Sequence, residues 1–255
     1  MRRRGVGLGL ISACVYAIVI GSSGCGAETT GPAPSGELNV LFIGNSLTMS
    51  NALPTLVRDL LEAGGVERVV VRDMSISGTG LQDHWAGPAR SVIAEGGWDI
   101  VVLQQGPSAT EGRPSLLEYS QRFAEEIRAA EGVPALYMVW PSSSRLFDFD
   151  GVADSYTTAA ELAQGLLFPV GEAWRLAWAM DSNLPLYSPD GFHPSFLGSY
   201  LAALVMYEQL SGLDPRDLPD RVSEGLSPEL SLEVARTLQA VAVEANALYA
   251  RPAGS

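Results

Sequence analysis

Apolar positions along the chain fall into two alternating patterns. Short, nearly continuous runs read as strands covered on both faces: Leu38–Ile43, Val69–Val71, Trp98–Gly106 ("WDIVVLQQG"), Pro134–Pro141 ("PALYMVWP") and the shorter Leu166–Glu172. Between them lie stretches with helical spacing. Asn51–Ala63 carries Leu53, Leu56, Val57, Leu60 and Leu61 on one face and ends at Gly64-Gly65. Pro88–Glu95, Ser115–Ala130, Val152–Gln164, Ser195–Leu210 and Pro228–Tyr249 complete the helical set, and Trp174 and Trp178 sit four apart on another helix, as core residues would. "SRLFDFDG", Ser144–Gly151, alternates aromatics with acids and is expected to be a loop.

Five strand–helix alternations predict an α/β domain: a mostly parallel, five-stranded sheet with helices on both faces, a three-layer α/β/α architecture. No internal repeat and no second domain is visible. In such sheets ligands bind outside the carboxyl ends of the strands. The residues to weigh for chemistry are therefore those just after each strand: Ser46, Ser75–Gly80, Gln104–Ser108 and Pro141–Ser144.

Composition narrows the setting. With 255 residues and 47% hydrophobic content the chain can bury one sizeable core. All sixteen basic residues are arginine, and the formal net charge of −13 argues against a nucleic-acid backbone or an anionic membrane surface as main partner. Arg2–Arg4, the uncharged run Gly5–Ile20 and the small residues "GSSGC" read as an export signal over residues 1–24. Gly24-Cys25 sits where a lipoprotein signal places its lipidated cysteine, making Cys25 the first mature residue. Cys14, in "LISAC", lies inside the apolar run, and an ordinary secretory signal or uncleaved anchor is the competing reading. The Gly-, Pro-, Thr- and Ser-rich residues 25–37 form a flexible tether, and residues 38–250 form the folded domain. Cys14 and Cys25 are the only cysteines, so no internal disulfide and no cysteine metal site is expected.

The candidate chemistry begins at "NVLFIGNSLT", where a buried strand ends in Gly44-Asn45-Ser46. Gly, Asn and Ser form turns and cap helices, but the same turn would lift a serine hydroxyl out at the carboxyl edge of the sheet. A serine nucleophile needs a base within reach, most often a histidine oriented by a carboxylate. The chain has two histidines, His84 and His193. His193 lies in "SPDGFHPS", three residues after Asp190, a spacing that can set the carboxylate against one ring nitrogen and leave the other free.

"FIGNSLT", "MSISGTG", "VVLQQGPS" and "DGFHPS", in this order, resemble the sequence blocks of the SGNH (GDSL-like) hydrolase superfamily from about Asn39 to Leu210. The resemblance implies a flavodoxin-like α/β/α fold and an extracytoplasmic serine esterase of the bacterial lipoprotein type. It makes Ser46 the nucleophile, His193 the base and Asp190 its orienting acid. It also assigns the backbone N–H groups of Ser46 and Gly78 to the oxyanion hole. The third block departs from the usual Gly-x-Asn-Asp: strict alignment puts Gly106 at the asparagine position. Gln105, with Gln104 as the alternative, is the candidate amide donor, because a glutamine amide donates as an asparagine amide does. Asn45, His84 and Trp140 are candidates to line the substrate site, Asn45 also shaping the turn; a structural role for His84 and core packing for Trp140 are the competing readings.

The expected reaction is hydrolysis of a short acyl ester, with O-acetyl groups on a carbohydrate as one candidate, without cofactor or metal. The competing reading is a catalytically inactive lipoprotein on the same scaffold that binds a glycan or other ligand. Two distant histidines and no Asp/His cluster make a metal-dependent phosphoesterase a poor fit. The alcohol of the substrate and the oligomeric state are not written in these motifs.

Overall fold

A computed structural model describes residues 36–220, 227 and 230–250; the export signal, Cys25 and most of the tether lie outside these residues. The five strands are β1 (Glu37–Ile43), β2 (Arg68–Asp73), β3 (Ile100–Leu103), β4 (Val133–Tyr137) and β5 (Leu166–Phe168). They form one sheet in the order β2-β1-β3-β4-β5 with every pairing parallel. Val40, Leu41, Phe42 and Ile43 of the interior strand β1 are fully buried, as a strand covered on both faces must be.

The strand order dictates where the helices go. The chain steps from β1 to β2 in one direction, through α2 (Leu53–Ala63), and then reverses to run β3, β4, β5. Right-handed crossovers on either side of that reversal put their helices on opposite faces. Accordingly α2 packs with α8 (Phe196–Ser211), which packs with α7 (Val170–Met180) and α9 (Leu232–Leu248). On the other face α3 (Leu81–Ala86) and α4 (Ala89–Ala94) pack with α5 (Arg113–Ala129), which packs with α6 (Phe149–Leu162). α8 is apolar almost all round and buried from Leu197 to Tyr207, because sheet and helices enclose it. The reversal between β1 and β3 is the topological switch point, where such sheets open a crevice at their carboxyl edge.

Three expectations need adjusting. The helix expected from Asn51 begins at Leu53, because Asn51 and Ala52 take left-handed backbone angles (φ 54° and 50°) after the single turn α1 (Ser46–Met49). The fifth strand stops at Phe168: Pro169 cannot donate to a ladder, and Val170 starts α7. The expected loop 144–151 is a 3₁₀ turn over Ser143–Asp148 that runs into α6 at Phe149. Pro228 lies outside the described residues, and the last helix is capped by the Ser231 hydroxyl accepting from the Val234 N–H. Among the described residues no helix is long and apolar enough to cross a membrane.

Candidate active site

The turn after β1 is built by hydrogen bonds that the strand cannot supply. Asn45 caps α1, its Oδ1 accepting from the Leu47 N–H at 3.1 Å and its Nδ2 donating to the Thr79 carbonyl at 3.0 Å. The Asn45 N–H donates to Gln104 Oε1 at 2.8 Å, and the Thr48 hydroxyl donates to the same oxygen at 2.8 Å. A side chain at Gly44 would collide with Thr48 Oγ1 and Gln104 Oε1, so only glycine lets the turn close this tightly. Ser46 is then the first residue of α1, half-buried, and its N–H is one of the initial helix amides that has no partner inside the helix.

His193 approaches from the opposite side of the cleft, on the loop before α8. Its Nε2 lies 2.9 Å from Ser46 Oγ and its Nδ1 2.6 Å from Asp190 Oδ2. The other carboxylate oxygen of Asp190 accepts from the backbone N–H groups of Phe192 and His193, both at 2.9 Å. The His193 ring, followed by these two backbone donors, holds the Asp190 carboxyl down at a pKa of about 2. With Asp190 a carboxylate, Nδ1 carries the hydrogen and Nε2 is free to accept the serine proton.

This loop is fastened at several points. The Ser188 N–H donates to the His193 carbonyl, and the Ser143 N–H to the Gly191 carbonyl, both at 2.8 Å. Trp140 Nε1 donates to the Phe192 carbonyl at 3.0 Å. Trp140 is fully buried and stacks on Trp174, with ring centroids 3.6 Å apart and planes within 10°. Of the two sequence readings of Trp140, lining the substrate site is therefore corrected and core packing holds; the residue fixes the backbone next to His193. His84 is likewise corrected. It is buried, with Nε2 donating to the Gly44 carbonyl at 2.7 Å and lying 3.1 Å from Thr79 Oγ1, so it ties the Gly44–Ser46 turn to the second loop instead of facing the mouth.

The second loop brings Gly78 to the cleft. Gly78 has φ +75°, a left-handed conformation that favours glycine, and the space a side chain would take is open. The loop is pinned to the end of β1 by the Ile76 N–H donating to the Gly44 carbonyl at 3.0 Å. Asn45, Ser46, Gly78, Gln105, Gly106 and Phe192 are among the residues lining one open cleft of about 350 Å³.

Neither glutamine offers the amide donor expected of it. Gln104 is 1% exposed and does not line the cleft; its oxygen holds the turn and its Nε2 donates to the Gln105 carbonyl at 2.6 Å. Gln105 does line the cleft, but its Nε2 donates to Ser108 Oγ and to the Gly112 carbonyl, both at 3.0 Å, which uses both hydrogens. Its Oε1 accepts from the Leu81 N–H at 3.1 Å. The pair braces the site, with Gln104 under the first turn and Gln105 under the second and third loops.

No protein-family model matches the chain, and no curated protein matches it. Solved structures do. A protein from Slackia heliotrinireducens assigned as an SGNH hydrolase is 27% identical, with a TM-score of 0.59 over 69% of this chain and 100% of its own. A DUF4886 family protein from Bacteroides uniformis superposes more broadly, with a TM-score of 0.70 at 20% identity over 84% of this chain and 96% of its own. An acetylxylan esterase from Geobacillus stearothermophilus gives 0.51 at 19% identity over 70% of this chain and 95% of its own.

The fold is that of the SGNH, GDSL-like hydrolases. On this SGNH scaffold the four sequence blocks occupy the carboxyl edge of β1, the loop after β2, the end of β3 and the loop before α8.

The sequence reading passed over Asn51. Its Nδ2 lies 3.2 Å from the Pro194 carbonyl, 3.0 Å from the Ser195 carbonyl and 2.9 Å from Ser199 Oγ. It thus joins the serine side of the site to the histidine side. Its helical spacing hid it; the available cue was an asparagine, a residue that tolerates left-handed backbone, immediately ahead of Ala-Leu-Pro. Asn51→Gly keeps the backbone geometry and removes only the amide. Chemical denaturation of this variant is expected to show a loss of about 0.5–1.5 kcal/mol from the lost bridging hydrogen bonds, because the Pro194 and Ser195 carbonyls still accept from the Ser188 hydroxyl and the Ser199 N–H. A loss below about 0.3 kcal/mol would mean that the bridge carries no load.

Proposed function

We propose that the protein is a serine esterase acting on short acyl esters through an acyl-enzyme. The single observation that carries this reading is the unbroken relay Asp190 Oδ2–His193 Nδ1 (2.6 Å) and His193 Nε2–Ser46 Oγ (2.9 Å) beside an open cleft. Ser46 Oγ attacks the acyl carbon as its proton passes to His193 Nε2. Negative charge collects on the former carbonyl oxygen, where the Ser46 and Gly78 N–H groups are the donors available. A preorganised donor of this kind contributes about 3 kcal/mol. Collapse expels the alcohol, which takes the proton from His193. Water, activated by the same ring, then releases the acid and restores Ser46.

The neighbouring structures named as hydrolases and an esterase support ester hydrolysis on this fold. The shallow, glycine-rich wall formed by Gly78, Gly80 and Gly106 supports a small acyl group over a long chain. The N-terminal pattern supports an exported protein held at the cell envelope through a lipid on Cys25, with residues 25–37 as its tether.

The test is covalent. A fluorophosphonate probe is expected to add one equivalent of label, mapped by peptide mass spectrometry to the peptide containing Ser46, and acetate esters are expected to turn over faster than octanoate esters. A folded protein with no label and no turnover would favour the inactive glycan-binding scaffold.

A further inference from the structure

A second cavity of about 240 Å³ opens beside the cleft and shares Pro107, Ser108, Gly112 and Phe192 with it. It excludes Ser46 and the glycine loop and continues instead to Glu111, Pro141, Arg145 and Asp148. We propose that this cavity is the subsite for the leaving alcohol, and that the alcohol it accepts is an uncharged, hydroxyl-rich ring such as a sugar residue. The inference rests on the esterase reading above.

Position assigns the alcohol to this cavity. The departing oxygen must take its proton from His193 Nε2, so the alcohol lies on the histidine side of the cleft and the acyl group on the side of Gly78. Phe192, which precedes His193 in the chain, forms the wall common to both cavities, and Ser143, next to the lining residue Ser142, donates to the Gly191 carbonyl of the same loop.

Polarity selects the kind of alcohol. Arg145 is paired with Asp148 on its own 3₁₀ turn and lies 4.0 Å from Glu111 across the cavity. The walls thus present donors and acceptors together, which matches hydroxyl groups that both give and take hydrogen bonds. Two carboxylates face one guanidinium on a chain of net charge −13, so a phosphorylated or carboxylated alcohol is disfavoured. An alkyl alcohol would desolvate these charges without replacing their hydrogen bonds. The same turn carries Phe147, 79% exposed, and Leu146, 49% exposed, with the Arg145 guanidinium carbon 5.8 Å from the Phe147 ring centre. An exposed aromatic ring beside Arg145, together with a cavity walled both by Pro107, Ala109, Pro141 and Phe192 and by charged groups, suits a sugar ring, which carries an apolar face and a hydroxyl edge.

The experiment compares kcat/KM for monoacetylated methyl glucoside, hexyl acetate and p-nitrophenyl acetate in the wild type, Arg145→Gln, Phe147→Ala and Ser46→Ala. The wild type is expected to prefer the sugar acetate over hexyl acetate by at least tenfold. Arg145→Gln and Phe147→Ala are each expected to cut the ratio of sugar acetate to p-nitrophenyl acetate by about tenfold, mainly through KM. Phe147→Ala changes an exposed side chain and keeps the test readable where Arg145→Gln unsettles the turn. Ser46-dependent hydrolysis of p-nitrophenyl acetate without a sugar preference, or with a preference that neither variant alters, overturns the subsite and leaves the esterase standing. No hydrolysis of any ester overturns both.

Discussion

Ser46→Ala is expected to remove hydrolysis of p-nitrophenyl acetate, with kcat falling on the order of 10⁵-fold. The hydroxyl is the only oxygen within hydrogen-bond distance of His193 Nε2 among the described contacts, and no neighbouring side chain is placed to replace it. Thr48, the nearest other hydroxyl on the same turn, is buried and donates to Gln104 Oε1. The same variant should fold as the wild type does. Ser46 Oγ bonds only the half-exposed His193 ring, so the unfolding free energy should change by less than about 0.5 kcal/mol. Unchanged denaturation with lost turnover in excess chelator is the combined result that assigns the nucleophile. Residual activity within about tenfold of wild type would place the chemistry elsewhere.

Asp190→Asn carries the second large effect. The carboxylate accepts from Nδ1 and leaves Nε2 unprotonated; an amide at the same place can donate to Nδ1 and move the hydrogen to Nε2, where it blocks proton transfer from Ser46. A fall in kcat on the order of 10³-fold is expected, with KM little changed. The loss should be smaller than for a fully buried aspartate, because the Asp190 side chain is 51% exposed and water supports the imidazolium in part.

The pH dependence follows from the sign of the shift. The folded carboxyl is held down at about 2, below its ordinary value of 3.8, so its contribution to stability is fully present above about pH 4 and is lost as pH falls toward 2. The difference in Tm between wild type and Asp190→Asn should shrink as pH falls from about 4 toward 2. Activity lost at any pH well above 2 is not Asp190 losing its charge. A Tm difference that grows on acidification would contradict the hydrogen-bond pattern around this carboxylate.

The sequence alone determined the architecture and the chain positions of the three candidate catalytic side chains. Strands covered on both faces, such as Val40–Ile43, must be continuously apolar, and amphipathic helices must repeat every three to four residues, so hydrophobic spacing alone separates β1 from α2. Ser46, Asp190 and His193 are legible because their neighbours are local: a turn after a strand, and a carboxylate three residues from an imidazole.

Only the tertiary structure decided what the polar residues around them do. Gln104 and Gln105 are equivalent as letters. Their oxygens accept from the Asn45 and Leu81 amides, 59 and 24 residues away, and with the oxygens so held the Nε2 groups donate to the Gln105 carbonyl and to Ser108 and Gly112, not to a substrate. Trp140 and His84 are aromatic residues after a strand and after a glycine loop, positions that suit a binding site. Packing turned both inward, Trp140 onto Trp174 and the Phe192 carbonyl, His84 onto the Gly44 carbonyl. Asn51 reaches acceptors 143 to 148 residues along the chain. Periodicity reports which face of an element is buried; it carries no information on which distant backbone group a buried amide or ring will find, and that choice separates the residues that line the cleft from those that brace it.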